Sequence, residues 1–457
     1  MQEHDEVSLG VTLLFAAILV AMISTLALEE KIHAKKSVIV GVYAIVSLIL
    51  ADAFHLLPLG SLINAFGEQI FLPIYIPGID WNVIAIILGS SIFVDVTSRS
   101  GLFTWIAMKL TKATGGDPLK LLLAYGLLTV LFSALLNNVT AMIIVGSLTY
   151  VSLDKLKQSD KLLAFLLIEG LLTNIGGLLT LISSVPNIII GDAAGISFVE
   201  FFLTASPFVI VSTIITLILG AKLFGIQSLK SDREKDEAAA LVASFDENDG
   251  IESRAFFWFG AIMTVVFIAV IATASILPVI SDLGLGFVAL SFGLIMLLRF
   301  KASADKFYQA LDWDLLAFFA GLFVVINVME HARVLDLIGR GLEQVVLLGP
   351  YLGSGLLLIA SAAFSSVTDN IPLAAILAKV LANLGIPGES SLWWAVVFGA
   401  NLGGNITPIG SASTLVAVTI IHKHGLKLSF AGFVKMAIPF AAIQILLATL
   451  YVLIFLN

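Results

Sequence analysis

The chain has 457 residues, of which 59% are hydrophobic and 12% charged, with a mean hydropathy of +1.07. Soluble domains carry about a quarter charged residues, so this balance excludes an ordinary water-soluble protein and points to an all-α polytopic membrane protein. The net charge of −8 says little where lipid is the solvent, and with no cysteine there is no disulfide, iron–sulfur cluster or thiolate metal site.

A helical span needs about 20 apolar residues to cross about 30 Å of hydrocarbon. Such runs lie at 7–28, 37–51, 81–98, 162–190, 200–222, 257–275, 283–299, 313–330, 391–421 and 430–456. The first lacks the basic flank and cleavage site of a signal peptide, so it is expected to stay. Amphipathic spacing at 102–113 and 332–345 suggests helices lying at the membrane interface. The apolar runs 118–153 and 347–386 differ, because each has a polar centre: Asn137-Asn138-Val139-Thr140 in one, Thr368-Asp369-Asn370 in the other. At 1.5 Å per residue, arms of about 15–20 residues reach part of the way or just across. Both read as re-entrant hairpins, whose tips must be buried in protein or face a water-filled cavity. The one long polar stretch, 228–254, reads as a solvated cytoplasmic linker with a short surface helix near 235–242.

The chain is written twice. Asp80-Trp81 opens a stretch reaching SALLNNVTAM (133–142), and Asp312-Trp313 opens one reaching SSVTDNIPLA (365–374), an offset of 232. TNIGGLLTLISS (173–184) is echoed by ANLGGNITPIGS (400–411) at an offset of 227. Interrupted hydrophobic segments at matching places in two halves point to a transporter's binding site. With the N-terminus outside, 21 of the 24 basic residues fall on the inner side, leaving only Arg333, Arg340 and Lys379 elsewhere. Glu3, Asp5, Glu6, Asp52, Glu68 and Glu389 fall outside. This satisfies the positive-inside rule for a cell-membrane protein with both termini outside. The first hairpin then enters from the cytoplasm and the second from outside, so the repeats are inverted.

Gly176-Gly177 and Gly403-Gly404 sit mid-span, with Pro186 and Pro408 close behind. They relax the backbone and remove amide donors, so both helices are expected to break there. Freed carbonyls suit cations and freed N–H groups suit anions; the alternative for such glycines is close helix packing. The candidate site comprises Asn137, Asn138, Thr140, Asn174, Gly176, Gly177, Ser183, Asn187, Thr368, Asp369, Asn370, Asn401, Gly403, Gly404, Thr407 and Ser411. A Na⁺ ion at Asn138 and Asn370 is the metal these tips suggest, and no other cofactor is expected. Asp369 is the only tip carboxylate, and a charge at that depth costs at least about 2.5–3.5 kcal/mol. A carboxylate that is charged with a cation and neutral with a proton is what exchange requires; the alternative is a helix cap. Glu169, five residues before Asn174, lies about 7–8 Å from it along a helix, and either couples to the break or bonds a neighbouring helix. Asp95 reads as interfacial, Asp192 as an outer cap and Lys379 as snorkelling outward. No histidine is central.

From about Asp80 onward the chain resembles the ion transporter superfamily, in the branch of arsenite permeases, NhaD-type sodium/proton antiporters and the melanosomal P protein. The residues that carry this are SGLFTWIAMKLTK (100–112), FSALLNNVTAM (132–142), EGLLTNIGG (169–177), VPNIIIG (185–191), SSVTDNIP (365–372) and NLGGNITPIGS (401–411). Two places depart from the branch: Asn137-Asn138 stands for Asp-Asn, and Ser183-Ser184-Val185-Pro186-Asn187 for Gly-Asp/Thr-Pro-Pro-Asn. The resemblance implies a homodimer in the lipid bilayer, with a scaffold and an elevator-like transport domain. Along the chain these would be scaffold (1–115), transport (116–226), linker (227–256), scaffold (257–345) and transport (346–457). The implied activity is secondary active transport: proton-coupled antiport of an inorganic ion or its neutral hydroxide, as in Na⁺/H⁺ exchange or arsenite and antimonite efflux. Proton- or sodium-coupled uptake of dicarboxylate- or citrate-like anions is the alternative, ranked behind because the site holds Asp369 and no Lys or Arg. A channel ranks lower. No enzyme is expected, since no central His accompanies a Ser and no paired Asp motif occurs, and no nucleic-acid partner is expected.

Overall fold

The computed structural model describes residues 7–58, 61–63, 67–274 and 276–457. The acidic N-terminal residues Glu3, Asp5 and Glu6, and the end of the run 257–275, lie outside them. The chain is almost wholly helical; the exception to the all-α expectation is a short antiparallel ribbon of Ser61–Ile63 and Gln69–Phe71. Nine helices among the described residues are long and apolar enough to cross a membrane.

The repeat is visible down to its caps. Asp80 accepts hydrogen bonds from the amides of Asn82 and Val83 and opens helix Trp81–Ser98, while Asp312 accepts from Leu315 N and opens Trp313–His331. Each following indole N–H donates back to a carbonyl five residues earlier, Trp81 to Ile76 and Trp313 to Tyr308. After these helices the chain turns through a left-handed residue, Gly101 in one half and Arg333 in the other, into the amphipathic helices Leu102–Thr114 and Val334–Val346.

The halves exchange partners. Trp81–Ser98 packs along Pro278–Leu297 of the second half, and Trp313–His331 along Lys36–Ala53 of the first. A Cβ on Gly89 would lie 2.3 Å from the backbone of Ala289, so that contact needs glycine. Small residues allow this backbone approach where lipid supplies no hydrophobic drive between helices.

The hairpin arms are Pro118–Leu135 with Asn138–Lys155, and Gly349–Ser365 with Asn370–Asn383. Asn137 caps the first returning arm through Thr140 N, and Asp369 caps the second through Ile371 N. The broken helices are Leu162–Gly176 with Val185–Ala194, and Ser391–Gly403 with Ala412–Lys423.

The linker carries the expected short helix, but its flanks are docked rather than solvated. Its helix, Asp232–Ala243, opens on a capping box of Ser231 and Glu234. On either side the chain docks: Leu229 N donates to Asp117, the Lys155 ammonium sits 4.9 Å over the buried Phe245 ring, and Glu247 bridges Lys109 (2.8 Å) and Lys112. Polarity marks the segment as lying outside the hydrocarbon, and says nothing about partners hundreds of atoms away in the chain.

Candidate functional site

Each hairpin tip meets the break of a broken helix. Ser133 Oγ donates to Thr173 O at 2.6 Å, and Ser365 Oγ donates to Ala400 O at 2.6 Å. The glycines at the breaks permit this. A Cβ on Gly176 would lie 2.7 Å from Val130 O, one on Gly403 would lie 2.3 Å from Ala362 O, and Gly177 faces the Asn138 amide in the same way. In the first hairpin the contact comes about twelve residues, or about 18 Å, along Leu162–Gly176. The tip therefore ends at the break, with Asn137 exposed and Asn138 and Thr140 half-buried beside it.

The two broken helices cross and bond reciprocally. Ser184 donates to Asn401 Oδ1 at 2.8 Å, and Ser411 donates to Asn174 Oδ1 at 2.9 Å. These are the same bond in the two copies. Asn174 is the hub: it also accepts from Ser413 (3.2 Å) and Asn138 (3.3 Å) and donates to Asn405 (2.8 Å). Asn405 passes the chain on to Gln444, which reaches Thr216. Asn401 donates to Asn187 Oδ1 at 2.9 Å. Asn174, Asn187, Asn401 and Asn405 are fully buried. All of this is amide and hydroxyl, without a charge.

The freed carbonyls are largely claimed. Ser183 Oγ and Asn187 Nδ2 both donate to Gly177 O and Thr180 O, and Thr414 Oγ1 donates to Ser411 O and Pro408 O. Thr407 Oγ1 donates to Ser366 O, tying the second break to the second tip. Asn370 is buried, yet its side chain makes no hydrogen bond to another described residue. Asn137 is exposed, Thr140 half-buried, Thr368 buried, and Gly404 lies against Ser411.

Two carboxylates differ sharply. Glu169 is fully buried; Thr149 Oγ1 donates to its Oε1 at 2.6 Å and its Oε2 has no partner. Asp369 is not the solitary mid-membrane carboxylate of the sequence reading. The Lys36 ammonium, at the start of Lys36–Ala53, pairs with its Oδ2 and also lies 3.6 Å from Glu29. This corrects the expectation that the site holds no Lys or Arg; a partner 333 positions away leaves no trace in spacing. Lys379 is paired with Glu330 at 3.1 Å rather than simply snorkelling. Asp192 accepts from Asn82, Asp95 lies 3.7 Å from Arg99, and His424 stacks on Tyr150. Sequence reading overlooked Ser184, Ser133 and Asn405. The first two are the repeat twins of Ser411 and Ser365, which the offsets identify.

A family profile described as a citrate transporter matches residues 5–399. An uncharacterised transporter of Mycobacterium tuberculosis is 32% identical over 82% of this chain and 86% of its own length. The P protein of Homo sapiens is 25% identical over 93% of this chain and 60% of its own. The crystal structure of the Alcanivorax borkumensis YdaH transporter, titled as having an unusual topology, superposes with a TM-score of 0.54 at 15% identity, covering 97% of this chain and 98% of that one. That likeness shows the fold alone. The repeated hairpins, the crossed broken helices and these relatives agree: this chain is a multi-pass membrane transporter belonging to the citrate-transporter family, within the ion transporter superfamily.

Proposed function

We propose that the protein is a secondary active antiporter that exchanges an inorganic cation, or a neutral hydroxide such as arsenite, for protons, with Asp369 as the proton carrier. One observation carries this reading: the crossing of the broken helices is lined by uncharged amides and hydroxyls, Asn138, Asn174, Asn401, Asn405, Ser184 and Ser411. Such groups can replace the hydration of a small cation or hydrogen-bond a neutral hydroxide, and they offer a polyanion no counter-charge. Na⁺ at Asn138 and Asn370 belongs to this reading. The hairpins and broken helices act as one transport body, because the reciprocal bonds lock the two breaks together. The pairs Trp81–Ser98 with Pro278–Leu297 and Trp313–His331 with Lys36–Ala53 act as scaffold, and the body slides against it, elevator-like, in a homodimer in the cell membrane.

A second reading is uptake of a citrate-like anion with protons or Na⁺. The description of the family profile favours it, and Lys36 supplies one positive charge beside the tip. Purified protein in lipid vesicles under an imposed proton gradient, challenged in turn with Na⁺, Li⁺, arsenite and citrate, separates the two. The first reading expects gradient-dependent movement of Na⁺, Li⁺ or arsenite and none of citrate. Movement of citrate alone replaces it with the second.

A further inference from the structure

We propose that Glu169 is a second proton-binding site, loaded through a buried row of hydroxyls that starts at the face carrying the linker. The inference rests on the proton-coupled reading above and adds a site to it. Three observations carry it.

First, the carboxyl is built into the crossing helices and left half-satisfied. Glu169 lies fully buried on Leu162–Gly176, with Thr149 Oγ1 donating to Oε1 and no partner on Oε2. The next residue, Gly170, meets the other broken helix, since a Cβ on it would lie 2.8 Å from the Ala417 methyl. A buried carboxylate with a bare oxygen and no cation beside it is costly, whereas the neutral acid is tolerated. The helices packed on Leu162–Gly176 are Pro118–Leu135, Asn138–Lys155, Phe198–Leu223, Ser391–Gly403 and Ala412–Lys423, with the short turn Ser159–Lys161 at its start. Their Lys120, Asp154, Lys155, Glu200, Lys222, His422 and Lys423 all stand in end turns, Asp160 pairs with Lys161, and Tyr150 stacks on His424. Tyr125 of Pro118–Leu135 is the ionisable group that feels the Glu169 charge.

Second, hydroxyls lead to it. The Tyr125 hydroxyl shares one hydrogen bond with Ser152 Oγ (2.7 Å) and one with Thr111 Oγ1 (2.9 Å), and in both either oxygen can donate. Thr149 and Ser152, three apart, share one face of Asn138–Lys155; the step between them is one helix turn, which one water molecule bridges. Thr111, Tyr125, Ser152, Thr149 and Glu169 are all buried. At the outer end, Thr111 precedes Lys112, whose ammonium pairs with Glu247 of the linker. At the inner end, Glu169 lies seven residues, about 10 Å, along its helix from Leu162 and five residues short of Asn174. It therefore stands between the linker face and the crossing. A proton taken at Thr111 moves one hydrogen along each bond, and Thr149 hands its own to the carboxylate, which becomes the acid. The reverse sequence unloads it.

Third, the row has no twin. The offsets of 227 and 232 place Val396, Leu381, Leu384 and Leu357 opposite Glu169, Thr149, Ser152 and Tyr125. Val396 and Leu381 are fully buried, so the second copy packs the same positions with apolar side chains. The repeat fold does not require polarity there. Carboxyl and hydroxyls occur together in one copy and are absent together from the other.

Infrared difference spectroscopy of the full-length protein in lipid vesicles reads the site without any cargo. Over the neutral range, falling pH should raise a carboxylic-acid C=O band that is missing from Glu169→Gln. After transfer to heavy water that band shifts as the acid proton exchanges. Tyr125→Phe, which keeps the ring, and Ser152→Ala should each keep the band and slow its shift about tenfold, the scale of one lost charge-assisted hydrogen bond. A band that survives in Glu169→Gln, or that pH never alters, would overturn the proton site. Wild-type exchange rates in both hydroxyl variants would overturn the row. Failure of the cargo panel leaves this band readable, and failure here leaves the test of Asp369 standing.

Discussion

Two asparagines of the candidate site sit in different surroundings. Asn174 Oδ1 accepts from Ser411, Ser413 and Asn138 while its amide donates to Asn405. Asn174→Ala strands several buried partners at once and is expected to cost about 1–3 kcal/mol of stability together with transport. The Asn370 side chain makes no hydrogen bond to another described residue, so Asn370→Ala should cost less stability than Asn174→Ala yet still lose transport. Thermal melting of the solubilised protein, set beside flux in vesicles, checks the contrast; equal melting shifts would place Asn370 in the structural network instead. Asn138, Asn370 and the paired glycines were legible because they occur twice in polar contexts inside apolar runs. Lys36 was not. It sits among Lys31, Lys35 and Lys36 in a basic inner cluster, where charge counting explains it completely and chain distance hides its partner.

Hairpin arms and spans look alike at the level of elements. Pro118–Leu135 has the length and hydropathy of a full span, and its tertiary contacts, such as Ser133 with Thr173 O, show that its tip ends at a break. What betrayed the hairpins was their polar centres, not their apolar arms. The linker teaches the converse lesson, since its composition is that of a solvated loop while its residues Leu229, Phe245 and Glu247 are docked. Hydrogen bonds from Lys109 and then Lys112 hold the Glu247 carboxyl down to about 2, below the ordinary glutamate value of 4.5. With a depressed value in the folded state, the clamp is fully present above pH 4.5 and is lost as pH falls toward about 2. Proteolysis between residues 244 and 251 is expected to accelerate over that interval in the wild type. Glu247→Gln should show the faster cleavage at neutral pH; identical cleavage of the two proteins at neutral pH would mean that the clamp does not hold the segment.

Over the whole molecule, each half packs its long helices against the other. Trp81–Ser98 lies along Pro278–Leu297, Trp313–His331 along Lys36–Ala53, and the breaks bond each other crosswise. The offsets announced two copies, and the positive-inside count announced their inversion. Neither could announce the exchange of partners, because spacing within a copy carries no information on contacts between copies. The absence of cysteine makes the inversion easy to test. Single cysteines at the exposed Ser231 and Glu389 should react with an impermeant maleimide from opposite faces of sealed vesicles, and reaction from one face would contradict the inverted arrangement. The central proposal, that Asp369 couples protons to cargo, is tested most directly by one flux measurement. Wild-type and Asp369→Asn proteins in vesicles are compared under an imposed proton gradient, with whichever of Na⁺, Li⁺ or arsenite the wild type carries. The account predicts that Asp369→Asn loses gradient-driven accumulation while keeping cargo-for-cargo exchange, and accumulation at the wild-type rate would contradict it.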